Sequence, residues 1–127
     1  MDKQLAEWLF YVDSDLKSAL IILESRENIY HISIYHAHQA VEKAMKAFLI
    51  SKGVEELPKI HSLLKLFSMI LKYGFDENMK TDIIELDSYY PKVRYPYGDQ
   101  ISYDDALICY KIAEQICSSI ITKINNK

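Results

Sequence analysis

Residues 89–99 read YYPKVRYPYGD. Arg94 stands there among Tyr89, Tyr90, Tyr95 and Tyr97, with Pro91 and Pro96 between them. A guanidinium is a planar fork of donors that fits phosphate or carboxylate. Tyrosine faces are platforms on which a base can stack, worth ~1–3 kcal/mol per base in single-strand binders. Proline lowers the entropy cost of presenting both. The same composition suits a plug: the rings pack on the end of a bundle, and Arg94 pairs with a carboxylate such as Asp15 or Glu42. The two uses are compatible.

A second constellation lies in YHISIYHAHQAVEKAMKAFLISKG, residues 30–53. On a helix, His31, Tyr35, His38, Gln39, Glu42 and Lys46 share about a third of the circumference. Glu42 and Lys46 form a favourable i,i+4 pair. Such a stripe is either a solvated face or a polar seam between helices. We expect Glu42 and Lys46 to be partly buried, with Glu42 paired to a basic group from another helix, Arg94 being one candidate. His61 either caps a third helix or lines the same cleft. His38 and Glu42 could face one ion, but the chain has no ExxH, CxxC or HxxxH pair, so no metal and no cofactor are expected. Asp13 and Asp15, two apart on a helix, do not aim at one point as an acid–base pair would. A glycine-rich phosphate loop and a nucleophile elbow are both missing.

The elements that must carry these residues follow from periodicity. Leu5, Leu9, Val12, Leu16, Ala19, Leu20 and Leu23 recur at three and four, predicting a helix over 3–24. A second helix runs from Tyr30 to Lys52 with Gly53 as its stop. Alanines at 37, 40, 44 and 47 allow close approach of neighbours, so this helix is expected to be central. A third spans 61–72 and ends at Gly74. A fourth is expected from an N-cap at Asp76 to Tyr90, before Pro91. The stretch 91–102 is expected to be irregular, and the last helix covers 103–124. The expectation is an all-α fold, an up-and-down antiparallel bundle of four main helices plus one short helix, in a single domain over 1–127.

Composition sets limits. Half of the 127 residues are apolar, 26% are charged, and the net charge of −3 argues against a nucleic-acid coat protein while allowing a local basic patch. No apolar run is long enough for a membrane span, and the N-terminus has no signal-peptide core, so a cytoplasmic protein without membrane contact is expected. Cys109 and Cys117 are eight apart, roughly 12 Å along one helix, and are expected to be reduced core thiols. Trp8 is expected to pack.

Four stretches, AEWLFYVDSDLKSA, YHAHQAVEKAMKAFLISKG, HSLLKL and RYP, resemble those of HEPN domains (higher eukaryotes and prokaryotes nucleotide-binding). The second is the most specific, since its HQAVEKAMKA order exceeds what helix physics requires. The resemblance implies a four- or five-helix bundle, commonly a homodimer, that binds nucleotide or RNA. It also implies a minimal nucleotidyltransferase partner, as in toxin–antitoxin pairs. Catalytic members are metal-independent RNases with a late Arg-x4-6-His motif. Here no histidine follows Arg94. A literal Arg-x4-His, Arg26 to His31, lies at the junction of the first two helices, away from the motif's place. The expectation is therefore a binding module with Arg94, Tyr95, Tyr97, Tyr35, His38, Gln39, Glu42, Lys46 and His61 as candidate ligand contacts. The alternative is an RNase toxin that uses Arg94 with a nonstandard histidine, His38 or His61.

Overall fold

Asp2 starts the first helix, α1 (Lys3–Ser25), by accepting the amides of Gln4 and Leu5 on its carboxylate at 2.6 and 3.2 Å. The computed structural model describes residues 2–95 and 100–126. Arg26 and Asn28, both at positive φ, turn the chain into α2 (Tyr30–Ser51). Gly53 follows at φ +85, as a helix stop requires. The other helices are α3 (Leu63–Ile70), α4 (Met79–Ser88), α5 (Tyr90–Arg94) and α6 (Tyr103–Asn125). A 3-10 turn, Leu71–Tyr73, tightens the end of α3 before Gly74, which sits at φ +96. No strand occurs among the described residues. The all-α, up-and-down bundle expected from periodicity is what the chain forms.

α2 is the central element. Fourteen of its 22 residues are buried, and Ala37, Ala40, Ala44 and Ala47 are fully so, letting α1 and α6 pack closely on it. Val12, Ala19 and Leu23 of α1, Ile34, Val41, Met45 and Phe48 of α2, and Ala106, Cys109, Ala113 and Ile120 of α6 fill the core. Burying one such large aliphatic or aromatic side chain contributes about 1.5–3 kcal/mol. Ser33 Oγ donates to the Ala19 carbonyl at 2.7 Å and fixes the register of α1 against α2. Trp8 packs partly buried against this core. Cys109 and Cys117 are buried free thiols; burial pushes Cys109 up to about 12 and Cys117 higher still.

Three local expectations are corrected. Pro91 does not end the ordered helical region; it occupies the first turn of a further helix, α5, so 91–94 is helical rather than irregular. Proline lacks the amide that a first helical turn leaves unused, and its fixed φ is pre-set for a helix start. α4 begins at Met79 after Asn78 rather than at an Asp76 cap; Asp76 instead accepts the Asn78 amide at 2.9 Å in the preceding turn. The N-cap of α3 is Ser62, whose Oγ accepts from the Lys65 amide at 3.3 Å, which frees His61 for another contact.

Candidate functional site

Three polar residues one turn apart on α2, His38, Glu42 and Lys46, are 0%, 5% and 8% exposed. Buried charge is costly unless partnered, and each of these has a partner. The Glu42 carboxylate accepts from Lys46 Nζ at 3.1 Å. It also takes His61 Nδ1, at 3.1 Å to Oε1 and 3.3 Å to Oε2. His38, Glu42 and Lys46 therefore form a buried seam, while His31 and Tyr35 of the same stripe are exposed, and the basic group that reaches Glu42 from outside α2 is His61, not Arg94.

His38 Nε2 lies 3.0 Å from Asp87 Oδ1, in the last turn of α4. The same carboxylate accepts the amides of Leu63 and Leu64 at 3.3 and 3.5 Å and the Ser62 hydroxyl at 3.4 Å. Asp87 thus joins α2, α4 and the start of α3. Burial pushes its pKa up, but the hydrogen bond from His38, the Leu63 and Leu64 amides and the charge of His38 outweigh this, and the net direction is down.

An ionised carboxylate only accepts hydrogen bonds. His61 must therefore donate from Nδ1 and His38 from Nε2, so the nitrogen that carries the proton toward the carboxylate differs between the two rings. His61 turns Nε2, with its lone pair, away from Glu42, on a side chain that is 62% exposed. His38 keeps Nδ1 buried and without a hydrogen-bond partner among the described residues.

Tyr90 covers His38, with ring centroids 4.3 Å apart and planes at 30°. Arg94, one turn further along α5, holds its guanidinium carbon 5.5 Å from the Tyr90 ring centre, with Nη1 3.5 Å from the hydroxyl. Contacts therefore run unbroken from Arg94 through Tyr90, His38, Asp87 and Ser62 to His61, Glu42 and Lys46. α5 serves as plug and as presenter at once: Tyr90 and Val93 are half-buried, while Lys92, Arg94 and Tyr95 are exposed. Tyr89 is the anchor beneath. Its hydroxyl donates to Asp105 at 2.9 Å, and Asp105 is itself part of the Ser102 capping box of α6.

The network gathers Arg94, His38, Glu42, Lys46 and His61 from among the sequence candidates. Arg94 pairs with neither Asp15 nor Glu42. Asp15 is held by Lys43 at 2.6 Å and His36 at 2.9 Å, a separate charge cluster between α1 and α2. Tyr35 is exposed and meets the His36 ring edge-on at 5.4 Å, and half-buried Gln39 makes no hydrogen bond that joins it to the network among the described residues. Tyr95 is exposed beside Arg94, and Tyr97 lies outside the described residues. Arg26, of the early Arg-x4-His spacing, stacks its guanidinium 3.7 Å from the Tyr103 ring centre, which is a structural contact. Sequence reasoning passed over Asp87 and Ser62. No periodic or motif signal marks an aspartate whose partner is 49 residues away. Among the described residues, no three His, Cys, Asp or Glu side chains converge as metal ligands, and no helix is long and apolar enough to cross a membrane.

Comparison with known proteins agrees with this architecture. The sequence model of the HEPN domain matches residues 5–124. The "Putative toxin MJ1304" of Methanocaldococcus jannaschii is 28% identical over 125 residues, covering 85% of this chain and 80% of that protein. The crystal structure of TT1696 from Thermus thermophilus superposes with a TM-score of 0.83 at 22% identity, covering 96% of this chain and 99% of that one. That of ST0689, described as an archaeal HEPN homologue, gives 0.75 at 23% identity over 98% and 99%. The HEPN domain protein tm0613 from Thermotoga maritima gives 0.75 at 22% over 95% and 99%.

Proposed function

Since the chain belongs to the HEPN domain family, we propose that it is the toxin-like half of a toxin–antitoxin pair, a nucleotide- or RNA-binding module that works with a minimal nucleotidyltransferase. The toxin-like part of the reading rests on the name of its Methanocaldococcus relative. The observation that carries the binding role is Arg94: an exposed guanidinium at the end of α5, backed by Tyr90 and committed to no carboxylate among the described residues. A phosphate takes the fork, and a base stacks on an exposed ring beside it, Tyr95 being nearest in sequence. Homodimerisation with the α5 region near the subunit boundary, and a cytoplasmic location, belong to the same reading.

Two experiments test it. Equilibrium titration with a nucleoside triphosphate and with a short single-stranded RNA should give binding by wild type that Arg94→Ala weakens; equal affinity in both proteins rejects the role of Arg94. Co-expression with the product of an adjacent nucleotidyltransferase frame should yield a complex on gel filtration, and separate elution rejects the partner.

A second reading, a metal-independent RNase, is favoured by one observation. His61 has the arrangement of an acid–base group, with one ring nitrogen fixed by a buried carboxylate and the other facing solvent. Removal of a ribose 2′-hydroxyl proton is work suited to imidazole. RNA cleavage that is lost in His61→Gln with binding retained would establish this reading. Cleavage unaffected by that variant would reject His61 as the acid–base group, and no cleavage by wild type would remove the reading.

A further inference from the structure

Asp87 is in an unfavourable place on its own helix. It lies in the last turn of α4, where backbone carbonyls converge and a carboxylate is disfavoured. α4 supplies no basic residue in that turn to offset it. Local rules broken in this way tend to mark residues kept for what they touch. What Asp87 touches is the start of another helix, two amides and a hydroxyl of α3, and the buried His38.

We propose that Asp87 is a positioning residue for His61, although it makes no hydrogen bond to His61 or to Glu42. The inference rests on the reading that this face takes a nucleotide or RNA. His61 directly precedes Ser62, the first residue that Asp87 clamps. Its side chain is mostly exposed, and its hydrogen bonds go to Glu42, so packing does not hold the ring. The chain between Gly53 and Ser62 contains no helix that could hold it from the other side. The orientation of His61 is therefore set by Glu42 and by the backbone that Asp87 fixes. Asp87 is fixed in turn by a histidine with no solvent exposure beneath Tyr90. A disturbance at Tyr90, on the helix that carries Arg94, thus reaches His61 through four contacts.

The test reads the His61 tautomer by 15N chemical shifts, with RNA affinity as a second arm. Wild type should show one dominant tautomer, protonated at Nδ1. Asp87→Asn should mix the tautomers and weaken binding of a single-stranded RNA by about tenfold. Ser62→Ala, which removes the hydroxyl that donates to Asp87 together with the α3 cap on the Lys65 amide but leaves Asp87 its His38, Leu63 and Leu64 partners, should mix them to a smaller degree. Ile83→Val, a core change on the same helix, should lower stability and leave the His61 signature alone. An unchanged His61 signature in Asp87→Asn and Ser62→Ala overturns the proposal, as does an equal change in Ile83→Val. If wild type binds no RNA, the binding reading fails, and the tautomer arm alone decides the role of Asp87.

Discussion

His38 and Asp87, 49 residues apart in sequence, meet at 3.0 Å between Nε2 and Oδ1, and this pair ties the central helix to the α3–α4 corner. The histidine has no solvent exposure, and the aspartate's other acceptor positions are taken up by α3. The polar seam is thus part of the scaffold as well as of the candidate site.

Removing His38 should be costly. His38→Ala deletes a charge-assisted hydrogen bond and the stack under Tyr90, together about 2–4 kcal/mol. Urea unfolding should show a lower midpoint with an unchanged slope. A midpoint within error of wild type would mean that the pair is decorative.

Glu42 and Asp13 offer an internal contrast. Both pair with a lysine four residues on, but Glu42–Lys46 is buried and Asp13–Lys17 is exposed. Glu42→Ala strands a buried ammonium and should cost about 3–5 kcal/mol, against about 0–1 kcal/mol for Asp13→Ala. Equal losses in the two variants would contradict the burial argument.

Acid should unfold the protein through its aspartates. Asp87 is pulled down as described, and Asp105 is pulled down chiefly by the Ser102 amide, then by hydrogen bonds from Tyr89 and the Ser102 hydroxyl. A carboxyl whose folded pKa lies below its unfolded value of about 3.9 binds more protons when unfolded. The contribution of these groups is therefore complete above about pH 4 and is lost as pH falls through their folded values. Urea midpoints measured from pH 7 to pH 2 should be flat at first and then fall, less steeply in Asp87→Asn. A flat profile down to pH 2 would contradict this.

At the alkaline end one sensitive group is Tyr89. Burial, then its hydrogen bond to Asp105, pushes its hydroxyl up to about 12. Its contribution is whole below the ordinary tyrosine value of about 10 and is lost as pH rises from there through the folded value. Absorbance titration should show fewer tyrosines ionising near pH 10 in wild type than in unfolded chain, since burial and a hydrogen bond to Glu114 raise Tyr110 as well, and Tyr89→Phe should remove one late-ionising group. Full ionisation of every tyrosine by pH 11 would contradict the buried contact.

What was legible in the sequence was whatever a helix repeats. The apolar spacing of α1 and α6, the alanines of α2 and the stripe through His38, Glu42 and Lys46 all follow from a 3.6-residue period. Start and stop signals were harder to read. A proline ends one helix and begins another with the same ring, and Pro91 does the second. Asp76 and His61 each stood where a cap is expected, yet Asn78 and Ser62 took those places. The Glu42–Lys46 pair was legible as an i,i+4 spacing, but the partners that reach Glu42 and Asp15 from another part of the chain were not. Lys43 and His36 claim Asp15, His61 and Lys46 claim Glu42, and Arg94 is left at the surface over Tyr90. Asp87 was invisible for the same reason: its role is made by three helices meeting, and no local pattern records that.

The central claim is that Arg94 contacts a phosphate on this face, and its most direct measurement is the salt dependence of binding to a short fluorescent single-stranded RNA. Each neutralised phosphate contributes a slope of about −0.7 to a plot of log affinity against log salt for single strands. Wild type should bind, with affinity falling as salt rises. Arg94→Ala should bind more weakly at every salt concentration and with a slope shallower by about 0.7, one phosphate contact. Identical affinities and slopes for the two proteins, or no binding by wild type at low salt, would contradict the account.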